Sequence, residues 1–229
     1  MTVRDLFDAR CHYGHKTGSQ NIHMRPYIFG NRLGVDVIDL EQTLPLLNDA
    51  LNFIAHVAFQ RGIIMFISRN KQCIPLVERV ALSCGEYSHC REFKVGNFAQ
   101  AKMRLGMETR LPDLAILLTT HNHVFGESVA VDECAKMNIP MVGILDTNCD
   151  PRLIDYPVPG NDDTPSSVEL YLALFKHAIE RGKALYQQAR SMHMLEDQER
   201  QKITKQLLQG DTQQLGGDDV QQQPKITAT

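Results

Sequence analysis

An α/β fold built on a largely parallel sheet is what this sequence predicts, and three observations predict it. Apolar runs of strand length recur along the chain. They alternate with segments of helical periodicity. Several runs, Ile63 to Ile67 above all, are apolar throughout and do not alternate with polar residues. Alternating strands and helices imply βαβ units with right-handed crossovers. A continuously apolar strand suits a sheet covered on both faces. At 229 residues the chain is long enough for one such domain and a tail.

The elements follow in order. Thr2 is placed to cap a short helix ending near Arg10, with Asp5 in its first turn facing the positive end of the helix dipole. Cys11 to Gly34 shows no clear periodicity and reads as a long loop of the functional kind. Val35 to Ile38 reads as a short strand. Thr43 is a plausible N-cap, with Pro45 in the first turn. Leu44, Leu47, Leu51, Ile54 and Ala58 share one helical face, and Gly62 ends the helix. After Ile63–Ile67 come a helix from about Ile74 to Cys84 and a weak strand near Tyr87 to Cys90. A strand at Leu114 to Leu118 and a helix from about Glu127 to Met137 follow. Then come a strand at Met141 to Leu145, an extended piece at Tyr156 to Val158, and a long helix from about Pro165 to Arg190. Residues 1–193 form the expected domain. From residue 194 Gln, Asp and Gly dominate. That tail extends the helix in part, to about Leu208, or stays disordered until a partner orders it.

Composition is that of an ordinary globular protein, 43% hydrophobic and 22% charged. No run is long and apolar enough to span a bilayer. The six cysteines lack CxxC spacing and read as reduced thiols. The start shows neither a secretory signal nor an Arg- and Ser-rich leader; a transit peptide removed ahead of residue 1 is compatible with it. Net charge is −3, but unevenly spread. Residues 1–110 carry 14 Lys+Arg against 10 Asp+Glu, and residues 111–229 carry 10 against 17. A split of this kind fits two faces with different partners, or a solvated acidic tail.

In an open α/β sheet, ligands bind beyond the carboxyl ends of the strands. Three loops lie there: Ser68 to Gln72, Thr119 to His123, and Asp146 to Asp150. None is a glycine-rich phosphate cradle. Gly14-His15-Lys16-Thr17 has the wrong spacing for a P-loop and follows no strand. Asp146-Thr147-Asn148-Cys149-Asp150 starts like a calcium loop. It has Pro151 where glycine is needed and Pro157 where glutamate is needed, which excludes calcium. A phosphoacceptor role for Asp146 competes with a plain turn fixed by Pro151, and the turn is favoured. Cys84, His89 and Cys90 lack a second ligand pair for zinc. The segment from His12 to Arg32 differs. It holds His12, His15, Lys16, Asn21, His23, Arg25, Tyr27 and Arg32 with no acidic residue. Cationic and amide groups bond phosphate and sugar oxygens, and His and Tyr stack on bases. A solvated loop explains the same composition equally well. Arg69, Lys71, Arg91, Lys94, Lys102 and Arg104 add positive charge in the same half.

A family resemblance separates these readings. Tyr13-Gly14-His15, the stretch Met24-Arg25-Pro26-Tyr27-Ile28-Phe29-Gly30 and Val37-Ile38-Asp39-Leu40 closely resemble the universal small-subunit ribosomal protein number two. Leu111-Pro112-Asp113-Leu114 is a second match. Asn138-Ile139-Pro140 with Asp146-Thr147-Asn148 is a third, and Pro159-Gly160-Asn161-Asp162-Asp163 a fourth. They lie in the family order over about residues 1–190. The chain departs from the bacterial pattern in two places. Only about twenty residues separate Arg91 from Leu111, so the bacterial helical hairpin is missing. A family motif is also degraded at His89 to Gly96. These departures, the mild acidity and the Gln-rich tail resemble mitochondrial members.

The resemblance implies a three-layer αβα sandwich with a mostly parallel, flavodoxin-like sheet, without catalysis or cofactor. It implies a place in the small subunit of the mitochondrial ribosome, in the matrix. Its partners would be small-subunit rRNA and neighbouring ribosomal proteins, with no membrane and no homo-oligomer. The expected rRNA contacts are His12, His15, Lys16, Asn21, His23, Arg25, Tyr27 and Arg32, with Arg69, Lys71, Arg91 and Lys94 adding phosphate contacts. A flavodoxin-like enzyme or phospho-receiver using Asp146, and a scaffold that binds protein alone, are the competing readings.

Overall fold

The computed structural model describes the backbone of residues 1–123 and 126–214, and the side chains of that range apart from 122–123 and 196–214. Two compact units divide the chain, Met1–Leu185 and Tyr186–Thr229, and the sheets belong to the first. No described helix is long and apolar enough to cross a membrane.

The chain opens with helix α1 (Val3–Asp8), where Thr2 and Asp5 exchange the reciprocal bonds of a capping box. The next residues correct the expected loop. Tyr13–Lys16 is a strand (β1), Ile28–Arg32 is another (β2), and Val35–Ile38 (β3) lies between them in a three-stranded antiparallel sheet. Two short 3₁₀ turns, Thr17–Ser19 and Ile22–Tyr27, join β1 to β2. Strand β3, the short strand expected at Val35 to Ile38, belongs to this sheet and not to the parallel one. The apolar side chains that face inward here are too few to leave a period-2 signal.

Helix α2 (Leu40–Phe59) begins four residues earlier than expected, capped by Asp39, whose carboxylate accepts the Glu41 amide. Thr43 lies inside the helix, and its hydroxyl bonds the Asp39 and Pro159 carbonyls. At the other end Arg61 adopts the left-handed conformation, with φ 60°. Gly62 follows because a Cβ there would lie 2.7 Å from Val57 Cγ1.

Then the expected alternation appears: β4 (Ile64–Ile67), α3 (Ile74–Cys84), β5 (Tyr87–His89), a one-turn helix α4 (Ala101–Leu105) and β6 (Leu114–Leu117). A small antiparallel pair, β7 (His121–His123) and β8 (Gly126–Glu127), precedes α5 (Val129–Lys136). Strands β9 (Met141–Leu145) and β10 (Tyr156–Pro159) follow, and α6 (Pro165–Gln214) closes the described chain. The helix runs past both sequence limits, Arg190 and Leu208; residues 215–229, and the expectation about their order, lie outside the described residues.

The five parallel strands are ordered β10-β9-β6-β4-β5. In sequence rank that is 2-1-3-4-5 from the β5 edge, the flavodoxin-like order. Successive residues of the central strands enter opposite cores. Ile64 and Phe66 of β4, Leu114 and Ile116 of β6, and Val142 and Ile144 of β9 enter one core with α2, α3 and the first turns of α6. Ile67, Ala115, Leu117, Met141 and Leu145 enter a second core with α5, Phe93 and Phe98. Both faces of the sheet are covered, giving the αβα sandwich. On the first face α6 approaches α2 closely at Gly182, where a Cβ would lie 2.8 Å from Ala58 Cβ.

Candidate nucleic-acid interface and the seam beneath it

A flavodoxin-like sheet offers its ligand crevice along the carboxyl ends of the strands. Here the chain's own N-terminal sheet occupies the β9–β10 part of that edge. The His15 amide donates to Thr147 Oγ1 at 2.9 Å, and the Asn21 amide to the Thr147 carbonyl at 2.8 Å. The Asn161 amide donates to the Cys11 carbonyl, its Nδ2 to the Arg10 carbonyl, and Ser166 Oγ to the Ala9 carbonyl. Gly14 allows the approach, because a Cβ there would overlap the Thr147 side chain. The quoted motifs that contain Gly14-His15, Asp146-Thr147 and Asn161-Asp162-Asp163 therefore meet one another.

His15 is the electrostatic centre of this seam. Its Nδ1 lies 3.0 Å from an oxygen of Asp146, and its Nε2 lies 3.5 Å from one of Asp163. The bond and charge of Asp146 lead the effects that raise its pKa to about 9, and Asp163 and Asp162 add to them against the cost of burial. The imidazole is thus a cation at neutral pH. Asp162, buried beside Asp146 and Asp163, has its carboxyl pushed well above the usual range, by desolvation first and by the neighbouring carboxylates second. Asp146 is itself 1% exposed, and its other oxygen accepts the Thr147 amide. That removes it as an accessible phosphoacceptor. The segment is a turn, with the Cys149 amide on the Asp146 carbonyl and Asp150 capping the 3₁₀ turn Pro151–Leu153. Among the described residues, His15, Asp146 and Asp163 are the group whose donor atoms lie close enough, within 4.8 Å, to hold a cation. In the structure the histidine joins the two carboxylates. Cys90 and His89 belong to packing: burial pushes the Cys90 thiol up to about 11, and His89 stacks edge-on against Phe93.

The expected RNA-facing residues now divide. Two are corrected. His12 is buried, its ring stacked on Phe7 with centroids 4.3 Å apart, and burial lowers its pKa. The ring is turned onto Phe7 and away from solvent. His15 is committed to carboxylates through both ring nitrogens. Asn21 caps the second 3₁₀ turn, accepting the His23 amide, and Tyr27 is half-buried against the second core. Lys16, His23, Arg25 and Arg32 are exposed on the N-terminal sheet and its turns.

The parallel sheet brings the remaining cations to the same edge. Ile67 pairs with His89, so β4 and β5 end side by side. Half-buried Arg69 and exposed Lys71 follow β4; exposed Arg91 and Lys94 follow β5. The loop carrying Lys94 is anchored from below by buried Glu133 of α5, which accepts the Gly96 and Phe98 amides. These seven Lys and Arg side chains thus belong to the N-terminal sheet and its turns or to loops leaving the carboxyl edge. Sequence reasoning missed the seam residues Asp146, Thr147 and Asn161 to Asp163. The signal was present in the motif matches, but order along the chain does not reveal contact across 132 positions.

Fold and site together define an α/β protein whose ligand crevice is closed in part by its own N-terminus and whose outer edge is cationic. Comparison with known proteins gives the family. A family model described as ribosomal protein S2 matches residues 6–102 and 99–182, and the chain belongs to that family. It is 54% identical over 196 residues to the Bos taurus small ribosomal subunit protein uS2m, covering 86% of this chain and 67% of the bovine protein. It is 31% identical over 229 residues to the small ribosomal subunit protein uS2 of Rhizobium etli (strain CIAT 652), covering 82% of this chain and 88% of that one. With the Rhizobium rhizogenes uS2 the identity is 32% over 231 residues. The family match breaks at residues 99–102, in the segment between β5 and β6.

Proposed function

We propose that this chain is a structural constituent of the small subunit of the mitochondrial ribosome, in the matrix. It binds small-subunit rRNA along its cationic edge and meets neighbouring ribosomal proteins elsewhere, the polar segment from residue 194 included. The role is assembly and support, without catalysis, cofactor or self-association. The observation that carries this reading is the seam: the crevice an enzyme of this fold needs is shared with the chain's own β1, while Lys16, Arg25 and Arg32 are left outside it. The 54% identity to the bovine mitochondrial protein supports the compartment.

Lys16, Arg25 and Arg32 position the protein on phosphates, with Arg69, Lys71, Arg91 and Lys94 extending the track. His23 and Tyr27 supply stacking or sugar contacts. Each phosphate contact releases bound counterions, so log affinity falls with log salt by about 0.7–0.9 per contact. The test is binding of the purified chain to small-subunit rRNA over a salt series. Lys16→Ala/Arg25→Ala/Arg32→Ala should reduce the slope by about 2–3. An unchanged slope and affinity would remove the clamp.

A further inference from the structure

The segment between β5 and β6 carries a surface that phosphate contacts do not explain. Val95, Met103, Leu105 and Met107 are each more than 70% exposed. Three of them fall within five residues. Scattered exposed apolar residues need no explanation, but a group this dense marks an interaction site. Beside them lies a groove of about 230 Å³, lined by Met65, His89, Phe93, Phe98, Leu105 and Leu111. That is below the roughly 300–1,000 Å³ of a small-molecule site, and its size and apolar lining suit an anchoring side chain. Arg104 and Arg110 stand on its rim, and Lys102 lines the neighbouring hollow. Arg104 reaches the Asn97 amide oxygen, and Arg110 pairs with Asp113. Lys94 and Lys102 make no ion pair among the described residues. Residues 91–110 hold five Lys+Arg against two Asp+Glu.

We propose that this groove and the Met103–Met107 ridge dock an acidic amphipathic helix of a neighbouring small-subunit protein. The proposal rests on the ribosomal reading above and names one partner surface within it. One or two apolar side chains of the helix enter the groove, and its carboxylates meet Lys102, Arg104 and Arg110. Two features favour protein over RNA. Phosphates and sugars do not cover methionine and leucine side chains. Methionine also adapts its shape to apolar partners, which suits a docking ridge. The location agrees, since this is the segment at which the family match breaks. The deep anchoring of the loop through Glu133 holds the ridge in place without burying it. The arrangement is that of helix-in-groove recognition, with anchors spaced three and four residues apart.

The test places a benzophenone-bearing amino acid at Met107 of the full chain in mitochondria. Small subunits are isolated, irradiated, and the cross-linked peptide is sequenced. The expected product joins residue 107 to a net-negative peptide with apolar residues at helical spacing. Its yield, normalised to chain in the subunit, should fall roughly tenfold with Lys102→Glu/Arg104→Glu and with Leu105→Gln/Met103→Gln. All four positions are exposed, so the isolated variants should unfold at the wild-type urea midpoint. Cross-linking to rRNA, to a basic peptide or to nothing, with the chain present in the subunit, overturns the docking surface and leaves the ribosomal reading standing. Absence of the wild-type chain from the subunit overturns both.

Discussion

Replacing His15 with glutamine tests the seam directly. The substitution removes the cation between Asp146 and Asp163 while keeping a polar side chain. Its magnitude follows from the pKa of about 9 against 6.5 for an ordinary histidine. A shift of that size corresponds to about 3 kcal/mol of folding stability at full effect. Because the folded-state pKa is raised, the contribution is complete below pH 6.5 and is lost as pH climbs through 9. The wild-type advantage should be about 3 kcal/mol near pH 6, about 2.5 at pH 7 and about 1.5 at pH 8, and should vanish by pH 10. Urea unfolding followed by far-ultraviolet circular dichroism at each pH measures it. Burial lowers the pKa of His12 and His89, and their titration cancels in the difference. An advantage that stays constant from pH 6 to 10, or is absent at pH 6, refutes the imidazolium seam.

Three further outcomes follow from the packing. Glu133→Ala leaves the Gly96 and Phe98 amides without their buried acceptor, and each orphaned group costs about 1–3 kcal/mol, so amide exchange at 96 and 98 should accelerate well before global unfolding. Gly182→Ala gains about 1 kcal/mol of helix propensity but drives a methyl into Ala58 and the Ala55 carbonyl; overpacking of about 1–3 kcal/mol outweighs the gain, and the urea midpoint should fall. Lys183→Met strips the partner from Glu86, whose carboxylate also accepts the Ile64 amide at the start of β4. A loss of about 2 kcal/mol, discounted because Lys183 is partly exposed, should appear in the same titration.

The parallel sheet was legible because its strands are apolar on both faces, as at Ile64–Ile67 and Leu114–Leu117, and no tertiary context is needed to recognise such runs. The N-terminal sheet was not. β1 reads Tyr-Gly-His-Lys and β2 reads Ile-Phe-Gly-Asn-Arg, with Tyr13 and Phe29 largely exposed. Edge strands of that kind carry no alternation, and only pairing with β3 makes them strands. The start of α2 was misplaced because Thr43 and Asp39 are both good caps, and the choice fell to the hydrogen bond of Thr43 with the distant Pro159 carbonyl. Within the site, composition identified the cationic segment but not its inner and outer faces. His12 and His15 look like ligands for phosphate until Phe7 and Asp146 are placed against them. Part of what the family motifs encode is an internal joint, in which His15 meets Asp146 and Asp163.

The measurement closest to the central claim is gradient sedimentation of mitochondrial lysate, following this chain with and without RNase. The ribosomal account predicts migration with the small subunit and its loss or displacement after RNase. Migration as a free species near 26 kDa, unchanged by RNase, would contradict it.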